Sequence, residues 1–180
     1  MIKTLLDLLS RFQEIGDREA ICQFDGFRHW KLSYSELVSK AGAFACILDR
    51  DQVSKGDRIL LWGENRPEWA AAFWGAVARG IQVVPIDPSF SIEFVQKVAK
   101  TTGARILVHG DSVRVDTLEL AKLSFRAIRE AEPAPLVPIE INEDDVVEII
   151  FTSGTTDRPK GVVHRHRNLC ANLNPIDQEI

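Results

Sequence analysis

The stretch KGDRILLWGENRPEWAAAFWGAVARGIQVVPIDP, residues 55–88, decides the fold. Its apolar run Ile59–Trp62 predicts a buried strand, and Asn65 with Pro67 predicts the capped start of a helix. That helix is apolar almost all round, which favours a position between two layers. A glycine ends it, and IQVVPID predicts a second strand. A strand, a crossover helix and a second strand indicate two parallel strands of one sheet.

The same alternation continues downstream. SIEFVQKVAKTTG predicts a helix closed by Gly103, and ARILVHG predicts a further strand. Residues 111–144 are less regular. We expect part of them to be helical, and the proline-rich EPAPLVP within them indicates a surface connector. VVEIIF then predicts a buried strand. The residues therefore predict the α/β class, with a mostly parallel sheet and crossover helices on both faces.

Upstream, AICQFDGFRHWKLSY predicts two short strands around the turn Asp25-Gly26. Ser33 and Glu36, three residues apart, form a capping box before a long amphipathic helix. The opening residues predict another helix with one apolar face, made of Leu5, Leu8, Leu9 and Phe12. We expect this face to pack on the core. A membrane-surface helix is the alternative, but its polar face is not notably basic.

Length and charge limit the class of protein. The 180 residues suffice for a single α/β unit, and a net charge of −4 does not favour a nucleic-acid partner. No apolar run approaches the roughly 18 residues of an integral membrane segment. Cys22, Cys46 and Cys170 are widely spaced, without metal-ligand or CxxC spacing, so we expect reduced thiols in a cytoplasmic protein.

The stretch TSGTTDRPKG, residues 152–161, has the composition of a phosphate-binding loop. Backbone N–H groups, hydroxyls and a cation are the donors that bind phosphate, and glycine permits close approach or positive φ. Gly154 and Lys160 have the glycine-to-lysine spacing of a Walker A loop. Pro159 and Gly161 occupy the positions of its second glycine and its Ser/Thr, however. The following VVH is strand-like, whereas a Walker loop enters a helix.

TSGTTDRPKG resembles the phosphate-binding signature of the acyl-adenylate-forming (AMP-binding) superfamily, which includes acyl-CoA synthetases, luciferases and peptide-synthetase adenylation domains. That signature is Ser/Thr-Ser-Gly-Ser/Thr-Thr-Gly-x-Pro-Lys-Gly, and nine of its ten positions agree. HRNL after the loop and residues 55–88 before it also resemble family segments. The resemblance extends from about Phe24 to Leu169 and is weak over residues 111–144.

The resemblance implies an enzyme that activates a carboxylic acid with ATP and Mg²⁺ as an acyl-adenylate, and then transfers the acyl group to coenzyme A. It also implies which residues bind the β- and γ-phosphates of ATP: Thr152, Ser153, Gly154, Thr155, Thr156, Lys160 and Gly161. A fatty or other acyl acid is favoured over a peptide-synthetase substrate. No catalytic residue and no metal ligand is assigned.

Asp157 is the one departure from the signature, at a position where the family has glycine. A carboxylate about 6 Å from a polyphosphate costs about 2–3 kcal/mol per facing charge at an effective dielectric near 20. Arg158 and Lys160 can offset much of this cost. The residues leave two readings open: a modest loss of ATP affinity, or a degenerate, weakly active site.

Members of this superfamily are longer than this chain, and their catalytic lysine lies in a separate C-terminal lid domain. We therefore expect residues 1–180 to be an incomplete N-terminal subdomain of a longer protein, inactive alone and prone to self-association through uncovered surface. The alternative function is a non-catalytic nucleotide- or phosphate-binding scaffold.

Other conspicuous residues are interpreted structurally. His164 and His166 could share one face of a strand, but no third metal ligand is nearby in sequence. Asp87 is interpreted as a turn residue. The acidic run 143–145 is interpreted as a solvated loop. The tryptophans of the central stretch are assigned to the core rather than to an acyl-binding surface: Trp62, Trp69 and Trp74.

Overall fold

The computed structural model of the protein describes residues 1–24, 26, 29–152 and 159–177. Six helices and eight strands lie within these residues. In chain order they are α1 (Leu5–Ile15), β1 (Glu19–Phe24), β2 (His29–Ser33), α2 (Tyr34–Arg50), β3 (Arg58–Trp62), α3 (Pro67–Ala78), β4 (Gln82–Ile86), α4 (Ile92–Thr102), β5 (Ile106–His109), β6 (Ala121–Ser124), α5 (Phe125–Glu130), β7 (Val146–Thr152), β8 (Lys160–Arg165) and α6 (His166–Asp177).

The main sheet has six strands in the order β6-β5-β3-β4-β7-β8. Neighbouring strands are parallel except for β7 and β8, which are antiparallel. The predicted α/β class with a mostly parallel sheet is confirmed. β1 and β2 form a separate antiparallel pair, as predicted, but Asp25 of its predicted turn lies outside the described residues.

Helices cover both faces of this sheet, because its central strands are apolar on both sides. Ile59 and Leu61 of β3 pack in a cluster with residues of α2, α3 and α5. Leu60 and Trp62, which point the opposite way, pack in a second cluster with α4. This double burial explains why β3 and β4 appear as continuous apolar runs in the sequence.

Local capping signals place most helix ends correctly. Ser33 accepts a hydrogen bond from the backbone of Glu36, whose side chain returns the bond, so the predicted capping box is present. Gly103 ends α4 with φ of 60°, a left-handed conformation that favours glycine. The predicted cap Asn65 is wrong. Arg66 is the N-cap, because Pro67 is itself the first helical residue.

The opening helix packs on the core as expected. Leu5 and Leu9 of α1 are buried. Phe12 packs edge-to-face against Trp74, with ring centroids 5.0 Å apart. None of the helices in the described ranges is both long and apolar enough to cross a bilayer.

The irregular stretch contains a strand that sequence patterns did not indicate, β6, and the helix α5, which confirms that part of this stretch is helical. β6 is the edge strand beside β5, and only Leu123 among its residues is buried, so it lacks an apolar run. The connector that follows α5 is not merely a surface segment. Leu136 is only 6% exposed and packs against α1 and α2. Ala134 donates its N–H to the carbonyl of Ser39, which joins this segment to α2.

Candidate functional site

The carboxyl ends of β3, β4, β5 and β7 lie along one edge of the sheet, because these strands are parallel. In open α/β sheets this edge is where ligands bind. Trp62 there donates its indole N–H to the carbonyl of Asp87 at 3.1 Å. Ser89 donates to the Asp87 carboxylate, which lowers the pKa of Asp87. The turn interpretation of Asp87 is confirmed.

The β7–β8 hairpin brings the two ends of the predicted phosphate loop to this edge. Thr152, the last residue of β7, is directly opposite Lys160, the first residue of β8. Opposite residues of antiparallel strands have Cα atoms about 4.5–5.5 Å apart. Both residues are exposed. A hydroxyl and an ammonium group are therefore available side by side at the end of the hairpin.

Gly161 is opposite Phe151 in the same hairpin. A Cβ atom at Gly161 would lie 2.9 Å from Phe151 Cζ and 2.9 Å from Ile149 Cγ2. Its φ is outside the left-handed region, so positive φ is not the reason for a glycine at this position. Glycine is needed here because neighbouring side chains of β7 cover its backbone.

The middle of the predicted loop lies outside the described residues. This concerns four of the predicted phosphate ligands and the acidic departure: Ser153, Gly154, Thr155, Thr156 and Asp157. In the described part of the chain, no carboxylate forms an ion pair with Lys160. The structure thus places three of the seven predicted residues, and it brings Thr152, Lys160 and Gly161 together.

A second polar cluster at the same edge was missed by sequence reasoning. Glu64 Oε1 accepts the N–H of Ser112 at 3.1 Å, whereas Glu64 Oε2 is buried without a partner among the described residues. Burial alone raises the pKa of Glu64, but hydrogen bonds from Ser112 and the charge of Arg66 outweigh it and lower that pKa. A Cβ at Gly110 would lie 2.0 Å from Oε2, so only glycine permits this approach.

An ion-pair network adjoins this cluster and joins α3 to α5. Arg129 donates to the buried Glu68 at 2.6 Å, and this bond raises the pKa of Arg129. Asp111, after β5, is 3.8 Å from both Arg129 and Arg66. The sequence contains one signal for the Glu64 cluster. A glycine directly follows each of the buried strands β3 and β5, and such glycines indicate close backbone approach.

The two histidines after the loop have separate partners. His164 Nδ1 lies 2.9 Å from Glu148 Oε1, its cross-strand neighbour on β7. His166 is not on the strand. It is the first residue of α6 and is buried, so the two imidazoles do not share a strand face. Among the described residues, no three His, Cys, Asp or Glu side chains form a group that could hold a metal ion.

The acidic run before β7 is a turn, exposed at Glu143 and Asp144 and held by ion pairs. Asp145 forms an ion pair with Lys55 at 2.6 Å, and Asp144 forms one with Arg167 at 2.6 Å. Backbone and side-chain hydrogen bonds, from Asn142 first and then Lys55, lower the pKa of Asp145. The interpretation as a solvated loop is confirmed for Glu143 and Asp144, and the ion pairs fix this turn at the start of β7.

Comparison with known proteins matches residues 10–179 to the family of AMP-binding enzymes. The 4-coumarate–CoA ligase 3 of Oryza sativa subsp. japonica is 29% identical over 180 residues, which cover 91% of this chain and 32% of that protein. Bacitracin synthase 3 of Bacillus licheniformis is 32% identical over 140 residues, covering 77% of this chain and 2% of that protein.

Solved structures give the same result. The structure of VinN in complex with 3-methylaspartate superposes with a TM-score of 0.82 at 26% identity, and covers 97% of this chain and 51% of VinN. The chain spans about a third of the length of the CoA ligase that it matches. The family match extends over nearly the whole chain, and the chain belongs to the AMP-binding enzyme family.

Proposed function

We propose that this chain supplies the ATP-phosphate-binding part of an ATP-dependent ligase that activates a carboxylic acid as acyl-AMP and transfers it to coenzyme A. The observation that carries the proposal is the β7–β8 hairpin, which pairs Thr152 with Lys160 at the carboxyl edge of the sheet. Family membership supports an adenylate-forming ligase in general.

The reaction explains why such a loop is needed. The substrate carboxylate attacks the α-phosphorus of ATP, and negative charge accumulates on the leaving pyrophosphate. Donors fixed in advance around the β- and γ-phosphates stabilise that charge. We assign this role to seven residues: Thr152, Ser153, Gly154, Thr155, Thr156, Lys160 and Gly161. ATP would enter as its Mg²⁺ complex, and we assign the metal no protein ligand in this chain.

The acyl acceptor and the acid are the finer part of the proposal. The similarity to a 4-coumarate–CoA ligase supports coenzyme A as the acceptor and an organic acid, fatty or otherwise acyl, as the substrate. The similarity to bacitracin synthase 3 supports the alternative of a peptide-synthetase module. We further propose that residues 1–180 form one α/β unit, the N-terminal part of the enzyme. The three unpaired cysteines support a cytoplasmic setting.

Acid-dependent exchange of pyrophosphate into ATP tests the proposal, measured on the complete protein that carries this chain with a panel of fatty, aromatic and amino acids. We expect exchange with at least one acid and release of AMP when coenzyme A is added. ATP binding without exchange for any acid would instead favour the non-catalytic scaffold. Exchange with amino acids alone, and no response to coenzyme A, would favour the peptide-synthetase alternative.

Replacing Asp157 by glycine restores the family signature and is expected to raise ATP affinity less than tenfold. An unscreened carboxylate would cost about 2–3 kcal/mol per facing charge, but Arg158 and Lys160 are close in sequence and can offset it. Calorimetric titration of ATP into the parent and the Asp157→Gly variant measures the difference. A gain above tenfold would show that Asp157 makes the site degenerate.

A further inference from the structure

The base of the β7–β8 hairpin lies at the opposite end of the two strands from the predicted phosphate loop. Val146 and Arg165 pair there, as the first residue of β7 and the last residue of β8. The next residues outward are also joined, since His166 donates its N–H to the carbonyl of Asp145 at 3.1 Å. His166 therefore closes the hairpin at the end that faces away from the proposed ATP site.

The side chain of His166 connects this base to the opposite end of the chain. It is 1% exposed, and its Nδ1 accepts the N–H of Leu5 at 3.1 Å. Leu5 is the first residue of α1, so its N–H has no partner within the helix. The Leu5 side chain packs with Val147 of β7 and Cys170 of α6 in one apolar cluster. The imidazole thus links α6 to α1 by accepting a hydrogen bond from a buried backbone N–H, beside an apolar cluster that includes β7.

This connection matters because β8 is the edge strand of the sheet. Among the described strands it is hydrogen-bonded to β7 alone. Its first four residues are exposed, including Val162 and Val163. Six residues of strand span about 20 Å. Lys160 lies at one end of this exposed strand, and the junction with α6 at His166 lies at the other.

We propose that neutral His166 is a positioning residue for the phosphate-binding end of the hairpin: it ties the hairpin base to the N-terminus of α1, and protonation of Nδ1 releases that tie and weakens ATP binding. The inference rests on the proposed function, because it assumes that Thr152 and Lys160 contact ATP phosphates. The tie itself is independent of that assumption, since it is formed without ligand.

The hydrogen bond determines the direction of the pH effect. Nδ1 must be unprotonated to accept from Leu5, which assigns the ring proton to Nε2. Burial lowers the pKa of His166 below 6.5. The charges of Asp145 and Asp7 raise this pKa, but burial outweighs them. The tie is therefore intact at neutral pH and is lost as pH falls through this lowered pKa. Three charged groups act on the ring: Asp145, Lys55 and Asp7. The other charged or titratable groups on the elements packed around it are Asp144, Arg165, Arg167 and Cys170.

Two substitutions separate the hydrogen bond from the packing. His166→Asn places an amide oxygen near the position of Nδ1, keeps an acceptor for Leu5 and does not titrate. His166→Leu keeps a buried side chain of similar size but has no acceptor. His164→Asn is the matched control, because this histidine is on the same segment and faces Glu148 rather than α1.

The experiment measures two quantities on the complete protein that carries this chain: the dissociation constant of Mg·ATP in a pH series from about pH 7.5 downward, and amide hydrogen exchange of Leu5 and β8 without ligand. We expect His166→Leu to weaken ATP binding about fivefold at the highest pH, the effect of one lost hydrogen bond, and to speed exchange at Leu5 and along β8. We expect His166→Asn to stay within about twofold of the parent at the highest pH. As pH falls through the pKa of His166, we expect His166→Asn, which does not titrate, to bind ATP more tightly than the parent.

The remaining outcomes decide against the proposal. Unchanged β8 exchange and ATP affinity in a folded His166→Leu would overturn it. Equal losses in His166→Asn and His166→Leu would assign the effect to packing rather than to the acceptor, which also overturns it. If the complete parent protein does not bind ATP, the proposed function fails, and the exchange measurement alone still decides whether His166 holds the hairpin.

Discussion

Replacing Lys160 by alanine is expected to slow acid-dependent ATP–pyrophosphate exchange about a hundredfold, the usual effect of removing one preorganised donor from a developing charge. The ammonium group is exposed at the first residue of β8. No carboxylate in the described ranges neutralises it by an ion pair. We expect its charge to act on the phosphates, where negative charge increases in the transition state.

Exchange kinetics in the complete protein that carries this chain measure this effect. Lys160→Arg keeps the charge but changes the shape of the donor, and should retain part of the activity. Lys97→Ala is the matched control, since Lys97 is an exposed lysine on α4. We expect Lys97→Ala to lie within about twofold of the parent, because isolated surface charges contribute little. Equal rates in Lys160→Ala and the parent would contradict the assignment of Lys160 to the ATP phosphates.

The Lys160 prediction rests on residues that lie close together in the sequence. A threonine, a proline and a lysine in a glycine-rich segment indicate a phosphate loop, and the VVH that follows indicates a strand. The structure confirms that strand as β8 and places Thr152 opposite Lys160. The roles of the residues between them stay predictions, because Ser153–Thr156 lie outside the described residues.

The fold was predictable where its determinants are local. Apolar runs predicted β3 and β4, which are buried on both faces. Ser33 predicted the start of α2, and Gly103 predicted the end of α4. β6 was missed because an edge strand with one buried residue, Leu123, has no apolar run.

Long-range contacts explain the remaining misses. His166 bonds to a backbone N–H that is 161 residues away, and a backbone donor has no residue-type signature. Glu64 was missed because its contact with Gly110 depends on the pairing of β3 with β5. The connector around Leu136 appeared exposed because its prolines are typical of surface segments, although its leucine is buried against two helices.

That connector leads to the largest stability effect that we expect. Gly42 lies within α2, and in an isolated helix alanine at such a position would be about 1 kcal/mol more favourable than glycine. Here a Cβ would lie 2.1 Å from the carbonyl oxygen of Ala134 and 2.8 Å from the nitrogen of Leu136. These are backbone atoms, so no side-chain rotation relieves the contact.

We therefore expect Gly42→Ala to lower the free energy of unfolding by about 3 kcal/mol, near the upper end of ordinary overpacking costs. The connector must move away from α2, which also disturbs the buried Leu136. Urea denaturation of the full chain measures the change. Cys46→Ala, one helical turn along α2 at an exposed position, is the control and should leave stability within about 0.5 kcal/mol. If Gly42→Ala were as stable as the parent, helix propensity would outweigh sterics, and the connector could not be packed against α2 as closely as this structure shows.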